Sequence, residues 1–171
     1  NSAGQLGGVH RSVDNGTNWG QIAPQSTGNF TPLSTSRSNQ GNYNLVITST
    51  SDGEECIIGG IDLWSWIHTP NSSDATNGQW YAISGWWASP SLPFYVHADN
   101  HRLFWANDNT LIVGNDGGVQ ARFGSSGPNQ FTSVINKGYS VTQFYSMGFG
   151  GDGSVIGGAQ DNGTQYKDNS K

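Results

Sequence analysis

Apolar and polar residues alternate along most of this chain with the two-residue period of half-buried strands, broken at short intervals by Gly, Asn, Asp and Ser. Four strands are predicted over Tyr43 to Thr50, Cys56 to Ile61, Leu63 to Ile67 and Gln79 to Ser84, and four more over His101 to Ala106, Thr110 to Asn115, Gly118 to Phe123 and Gln130 to Asn136. Two strands precede these, near Gly8 to Val13 and Trp19 to Ala23; three follow, near Gln143 to Phe149, Ser154 to Gly158 and Thr164 to Lys167. The expected fold is therefore all-β, with antiparallel hairpins as its unit.

The strand groups repeat. Gly-Gly pairs punctuate the chain at Gly7-Gly8, Gly59-Gly60, Gly117-Gly118 and Gly157-Gly158. Gly114-Asn115-Asp116-Gly117-Gly118-Val119-Gln120 superposes on Ala159-Gln160-Asp161-Asn162-Gly163-Thr164-Gln165 at an offset of 45, which brings Asp161 onto Asp116. A period of about 40–50 residues holding four strands is that of a propeller blade. The sequence thus predicts a β-propeller segment of about three four-stranded blades: residues 1–40 the end of one blade and a connection, 41–94 a blade, 95–138 a blade, and 139–171 the start of the next. Because a propeller closes a ring of typically four to eight blades, such a segment is expected to be a fragment whose open faces meet the remainder of the same propeller or another protein chain.

Composition sharpens this picture. Twenty-five glycines and only 11% charged residues suit many short strands and tight turns, while seven Trp, six Tyr and seven Phe supply enough apolar surface for a packed core. The net charge of −5, with no Lys/Arg run, argues against nucleic acid and anionic membrane partners. No apolar stretch approaches the roughly 20 residues that span a bilayer, and Asn1-Ser2-Ala3-Gly4 is neither an initiator Met nor a signal peptide, so a preceding segment is expected. Cys56 is the single cysteine and reads as a buried strand thiol; the low Lys content and the many Asn and aromatic residues favour a secreted or cell-surface location.

Candidate chemistry is sparse. Ser12-Val13-Asp14-Asn15-Gly16-Thr17-Asn18-Trp19 fits the Asp-box pattern S-x-D-x-G-x-x-W, in which Asp14 accepts backbone N–H groups, Gly16 supplies an awkward backbone angle and Trp19 packs beneath the hairpin. These residues, Ser12, Asp14, Gly16 and Trp19, are expected to be structural, and a calcium loop would want more carboxylates than Asp14 alone. His97-x-Asp99-x-His101 invites a metal reading, but on an extended strand residues two apart stand ~6.6 Å apart and residues four apart ~13 Å. A His–Asp hydrogen bond is expected there, and neither metal nor cofactor is called for. Asp116 and Asp161, each at a strand end before a Gly-containing turn, carry the one catalytic signal; as turn formers they are expected to accept N–H groups of their own turns.

Tyr95-Val96-His97-Ala98-Asp99-Asn100-His101, Gly114 to Val119, Val141 to Ser146 and Gly157 to Thr164 together resemble the secreted Asp-box (BNR) repeat propellers of the glycosyl-hydrolase-like and sortilin-like family, many of them exported Bacteroidetes proteins. The resemblance implies an extracellular propeller that serves as a binding or structural module for protein or glycan. It also implies an alternative, a glycoside hydrolase of the xyloglucanase-like type in which an aspartate before a Gly-Gly-like turn, here Asp116, is one of two carboxylates flanking the sugar bond, with Asp161 as its candidate counterpart. After Gly118 the hairpin carries Gln120-Ala121-Arg122-Phe123-Gly124 and lacks an Asp box. A sialidase is disfavoured, because the two glutamates, Glu54 and Glu55, lie together after Asp52-Gly53, where a turn is expected. Trp80-Tyr81, Trp86-Trp87 and Phe94-Tyr95 are expected to face solvent and are candidates for stacking on sugars, although Trp in such hairpins more often fills space between blades.

Overall fold

The computed structural model describes residues 4–23, 30–33, 39–107, 109–124, 131–132 and 141–169. Among them there is no helix; thirteen strands form four antiparallel sheets. The first sheet pairs β1 (Val9–Arg11) with β2 (Gly20–Ala23). The second runs in order β3 (Val46–Ser49), β4 (Glu55–Gly59), β5 (Leu63–His68) and β6 (Gly78–Ala82). The third joins β7 (Asn100–Asn107), β8 (Thr110–Asn115), β9 (Gly118–Phe123) and β10 (Phe131–Thr132), and the fourth β11 (Phe144–Phe149), β12 (Val155–Ala159) and β13 (Thr164–Lys167). Each sheet is a meander of sequence neighbours, so pairing is local and the hairpin turns set the register. Residue 130 and residues 133–136 of the tenth expected strand lie outside the described residues, as do residues 1–3.

Strand alternation decides what packs where. In the second sheet Ile57 and Leu63 point into one apolar cluster with Ile83, Val96, Leu111, Val113 and Phe131. Their neighbours Ile58 and Trp66 point the opposite way, into a second cluster with Val9, Ile22, Ala23 and Trp80. The sheet is thus covered on both faces, by the third sheet on one side and the first on the other. Burying each large apolar side chain contributes about 1.5–3 kcal/mol, which makes these two clusters the main stabilising layers. Trp80, expected to face solvent, is instead buried in the second cluster, where its indole N–H donates to the Ile22 carbonyl at 2.7 Å, and the Phe30 ring meets Trp64 edge-on at 5.2 Å.

Polar links cross the same boundaries. Glu55 lies within β4 and not in the preceding turn, as the sequence suggested; its carboxylate accepts the Arg122 guanidinium at 2.9 and 3.0 Å and the Ser65 hydroxyl at 2.6 Å. Arg11 on β1 ties the first sheet to the second through Glu54 at 3.3 Å and the Ala75 carbonyl at 2.8 Å. The fourth sheet differs, for Phe144, Tyr145, Met147, Phe149, Ile156 and Tyr166 all stand exposed on it.

The Asp box forms as a closed turn. Asp14 accepts the Asn18 backbone N–H at 2.9 Å, the Ser12 hydroxyl at 2.8 Å and the Asn18 amide at 2.6 Å, and these bonds hold its carboxyl down at about 2. Ser12 Oγ in turn accepts the Gly16 N–H at 2.9 Å, and Gly16 takes a φ of 84°, which favours glycine. Trp19 packs on its own turn, its indole donating to the Gly16 carbonyl at 2.9 Å, but the side chain is 63% exposed where packing beneath the hairpin was expected. The hairpins β3–β4 and β11–β12 repeat the device, with Asp52 accepting the Glu54 N–H and Asp152 the Ser154 N–H.

Candidate functional site

Three turns converge at one end of the third and fourth sheets. The first is the segment entering β7, where Val96 is buried in the core and the Gln120 side chain grips the backbone on either side of it. Gln120 Oε1 accepts the His97 N–H at 3.0 Å and its amide donates to the Tyr95 carbonyl at 3.1 Å. So held, the chain takes a left-handed φ of 62° at Asp99 before the buried Asn100 side chain docks on the Gly60 carbonyl at 2.9 Å. The second turn joins β8 to β9. Asn115, not Asp116, closes it by accepting the Gly117 N–H at 3.1 Å. The His97 side chain packs against Gly117, where an added Cβ would stand 2.5 Å from the ring. The third turn joins β12 to β13 and carries Asp161 at a φ of 54°.

Asp116 therefore does not spend its carboxylate on its own turn. It accepts His101 Nε2 at 2.9 Å and lies 3.5 Å from the Gln160 amide. His101 reaches it because the β7–β8 register slips between Asn100 and Arg102, making His101 the extra residue of a bulge, a device that re-aims a side chain. The His–Asp hydrogen bond expected within His97-x-Asp99-x-His101 thus goes to Asp116. The Tyr43 ring meets the His101 ring edge-on at 5.1 Å. Partial burial, and next the Asp116 carboxylate, raise the Tyr43 phenol above its usual range.

One carboxylate oxygen from each of Asp99, Asp116 and Asp161 lies within 4.8 Å of the other two, the one such grouping of three potential metal ligands among the described residues. Asp116 and Asp161, singled out by the repeat, are brought together; Asp99 joins them. Burial first, then the Asp116 and Asp161 charges, raise the Asp99 carboxyl. Asn44, buried just ahead of β3, donates its amide to Asp99 at 2.6 Å.

Beside the three acids opens a cavity of about 330 Å³ lined by Trp86, Tyr95, His97, Asp99 and Asp161, among others. Asp62, in the β4–β5 turn, stands behind it: it accepts the Trp86 N–H at 2.9 Å, and burial pushes its carboxyl up to about 6. Asp62 occupies the same hairpin of its sheet as Asp116 and Asp161 do of theirs, and the sequence signal was the Gly59-Gly60 pair just before it. A larger cleft of about 680 Å³ runs between the Asp box and β3, but its acids are engaged elsewhere, Glu54 with Arg11 and His68, Asp52 with its own turn. Burial pushes the Cys56 thiol in that cleft up to about 12, which leaves it a poor nucleophile. Comparison of the chain with protein-family models, with curated proteins and with solved structures gives no match.

Proposed function

We propose that this chain forms about three blades of a secreted or cell-surface Asp-box β-propeller and acts as a non-catalytic module that binds a glycan. The observation that carries the reading is the cavity beside Asp99 and Asp161, whose Trp86 and Tyr95 rings offer apolar faces and whose acids and His97 offer hydrogen-bonding edges to hydroxyls. Local meanders of up to four strands, and a sheet packed on both faces by its neighbours, support the propeller. The exposed Phe144, Phe149 and Tyr166 of the fourth sheet support a further covering partner, the remainder of the propeller or another protein chain.

Asp116 and Asp161 keep a second reading in play, a xyloglucanase-like glycoside hydrolase. One oxygen of each lies within 4.8 Å of the other, close enough for both carboxylates to reach one sugar bond. A glycan array followed by product analysis separates the two. Binding lost in Trp86→Ala, with no cleaved sugar, supports the module. Cleavage abolished by Asp116→Asn with binding intact establishes the hydrolase, and no binding to any glycan refutes both.

A further inference from the structure

We propose that the cleft between the Asp box and β3 is a strand-addition site, which takes an extended segment of another protein, apolar at alternate residues, along the free edge of β1. The site shares no lining residue with the cavity beside Asp99 and Asp161, and it stands whether or not a glycan binds there. Its floor follows from register. Directly opposed residues of an antiparallel pair point to the same face, so Ile47 with Ile58, and Ser49 with Cys56, Trp66 and Trp80, form two rows across the second sheet. The first sheet covers only part of this face: Val9 and Ile22 pack on Ile58, Trp66 and Trp80. Ile58 is 1% exposed, whereas its partner Ile47 is 55% exposed.

What the face lacks is the width of one strand. β2 lies over β6, where the Trp80 indole reaches the Ile22 carbonyl, and β1 lies over β5, where the Arg11 guanidinium stands 5.1 Å above the Trp66 ring. β1 is therefore the strand turned toward the uncovered β3, and among the described residues it is paired on one side only, with β2. Neighbouring strands lie about 4.8 Å apart, so a strand hydrogen-bonded to β1 falls over β4 and β3, into the cleft of about 680 Å³ that Ile47, Cys56, Val13 and Trp19 line. An open edge presents backbone donors and acceptors at a repeat that another extended backbone matches, and side-chain alternation then turns every second residue onto Ile47 and Cys56. The added strand continues the packing that already joins the first sheet to the second. A lone segment fits better than the sheet edge of a second copy, because β3 is the outermost strand of its sheet and a second incoming strand would lie beyond the floor.

The test is an amide chemical-shift titration of the labelled protein with the acetylated and amidated peptide Thr-Val-Thr-Val-Thr. Saturable shifts are expected at Val9 to Arg11 and Ile47 to Ser49, with a dissociation constant on the order of 1 mM. The same peptide N-methylated throughout cannot donate to β1 and should bind about tenfold more weakly or worse. Ile47→Thr, at an exposed position, should weaken binding by about threefold or more, whereas Ile156→Thr, exposed on the fourth sheet, should bind as the parent does. Circular dichroism establishes that each variant is folded. The proposal is overturned if the folded parent shows no saturable shifts up to about 20 mM peptide, if the N-methylated peptide binds equally well, or if Ile47→Thr binds unchanged. Slow hydrogen exchange of the Val9 to Arg11 amides facing the cleft, before any peptide is added, would show the edge already taken by the protein's own chain or a second copy, and would also overturn it.

Discussion

Arg122 offers the sharpest test of how the second and third sheets are joined. Its side chain is 1% exposed, its guanidinium lies 5.2 Å over the Trp105 ring, and it reaches from β9 to Glu55 on β4, which is itself buried. Replacing it with methionine keeps the length of the stem but leaves Glu55 charged, buried and held only by the Ser65 hydroxyl. Removing one partner of such a pair costs about 3–5 kcal/mol, because the surviving charge keeps its desolvation cost and loses its counter-charge. With a urea slope of about 2 kcal/mol/M, the unfolding midpoint should fall by about 2 M. The double variant Arg122→Met/Glu55→Leu removes the stranded charge and should recover most of the loss. Equilibrium urea unfolding followed by tryptophan fluorescence measures all three proteins. A loss under about 1 kcal/mol in Arg122→Met, or a double variant no more stable than the single one, would refute this reasoning.

Three further outcomes follow from the turns and the site. The Asp14 carboxyl, lowered to about 2, contributes stability above its unfolded value near 3.8 that is lost as pH falls through 2; the gap in thermal midpoint between parent and Asp14→Ala should therefore close between pH 4 and pH 2. Asp62 has the opposite sign: raised to about 6, it is best tolerated below 3.8 and costs stability as pH rises through 6, so Asp62→Asn should melt above the parent at pH 8 and level with it at pH 3. Gly117→Ala drives a Cβ into the His97 ring and should destabilise by about 1–3 kcal/mol, with the His97 ring resonance in an NMR spectrum reporting the displacement.

The strands were legible because their pattern is local. Thr110–Asn115, Gly118–Phe123 and Thr164–Lys167 fall where alternation and the Gly-bearing turns put them, since a two-residue period against a core fixes both register and ends. The Asp box was legible for the same reason, as all its bonds close within eight residues, Ser12 to Trp19. What escaped was tertiary. Glu55 and Arg122 stand 67 positions apart, and no local pattern pairs them. Asp116 looked like a turn former, but Asn115 does that work and frees it for His101. Asp99 enters the cluster through a left-handed backbone angle and a bulge two residues on, neither of which a strand template anticipates. Asp62 went unnoticed because its three-residue turn, Gly60 to Asp62, does not superpose on the two-residue turn of Asp116.

The cleft beside Asp99, Asp116 and Asp161 is proposed as the place where this protein meets its ligand. Amide chemical-shift mapping of the labelled protein against the best glycan from the array tests it most directly. Saturable shifts are expected, concentrated on the backbone of Trp86, Tyr95, His97, Asp99 and Asp161, with the Asp-box turn at Asp14 to Asn18 unmoved. Shifts centred on the Asp box and the cleft beside β3, with the acidic turns silent, would contradict it.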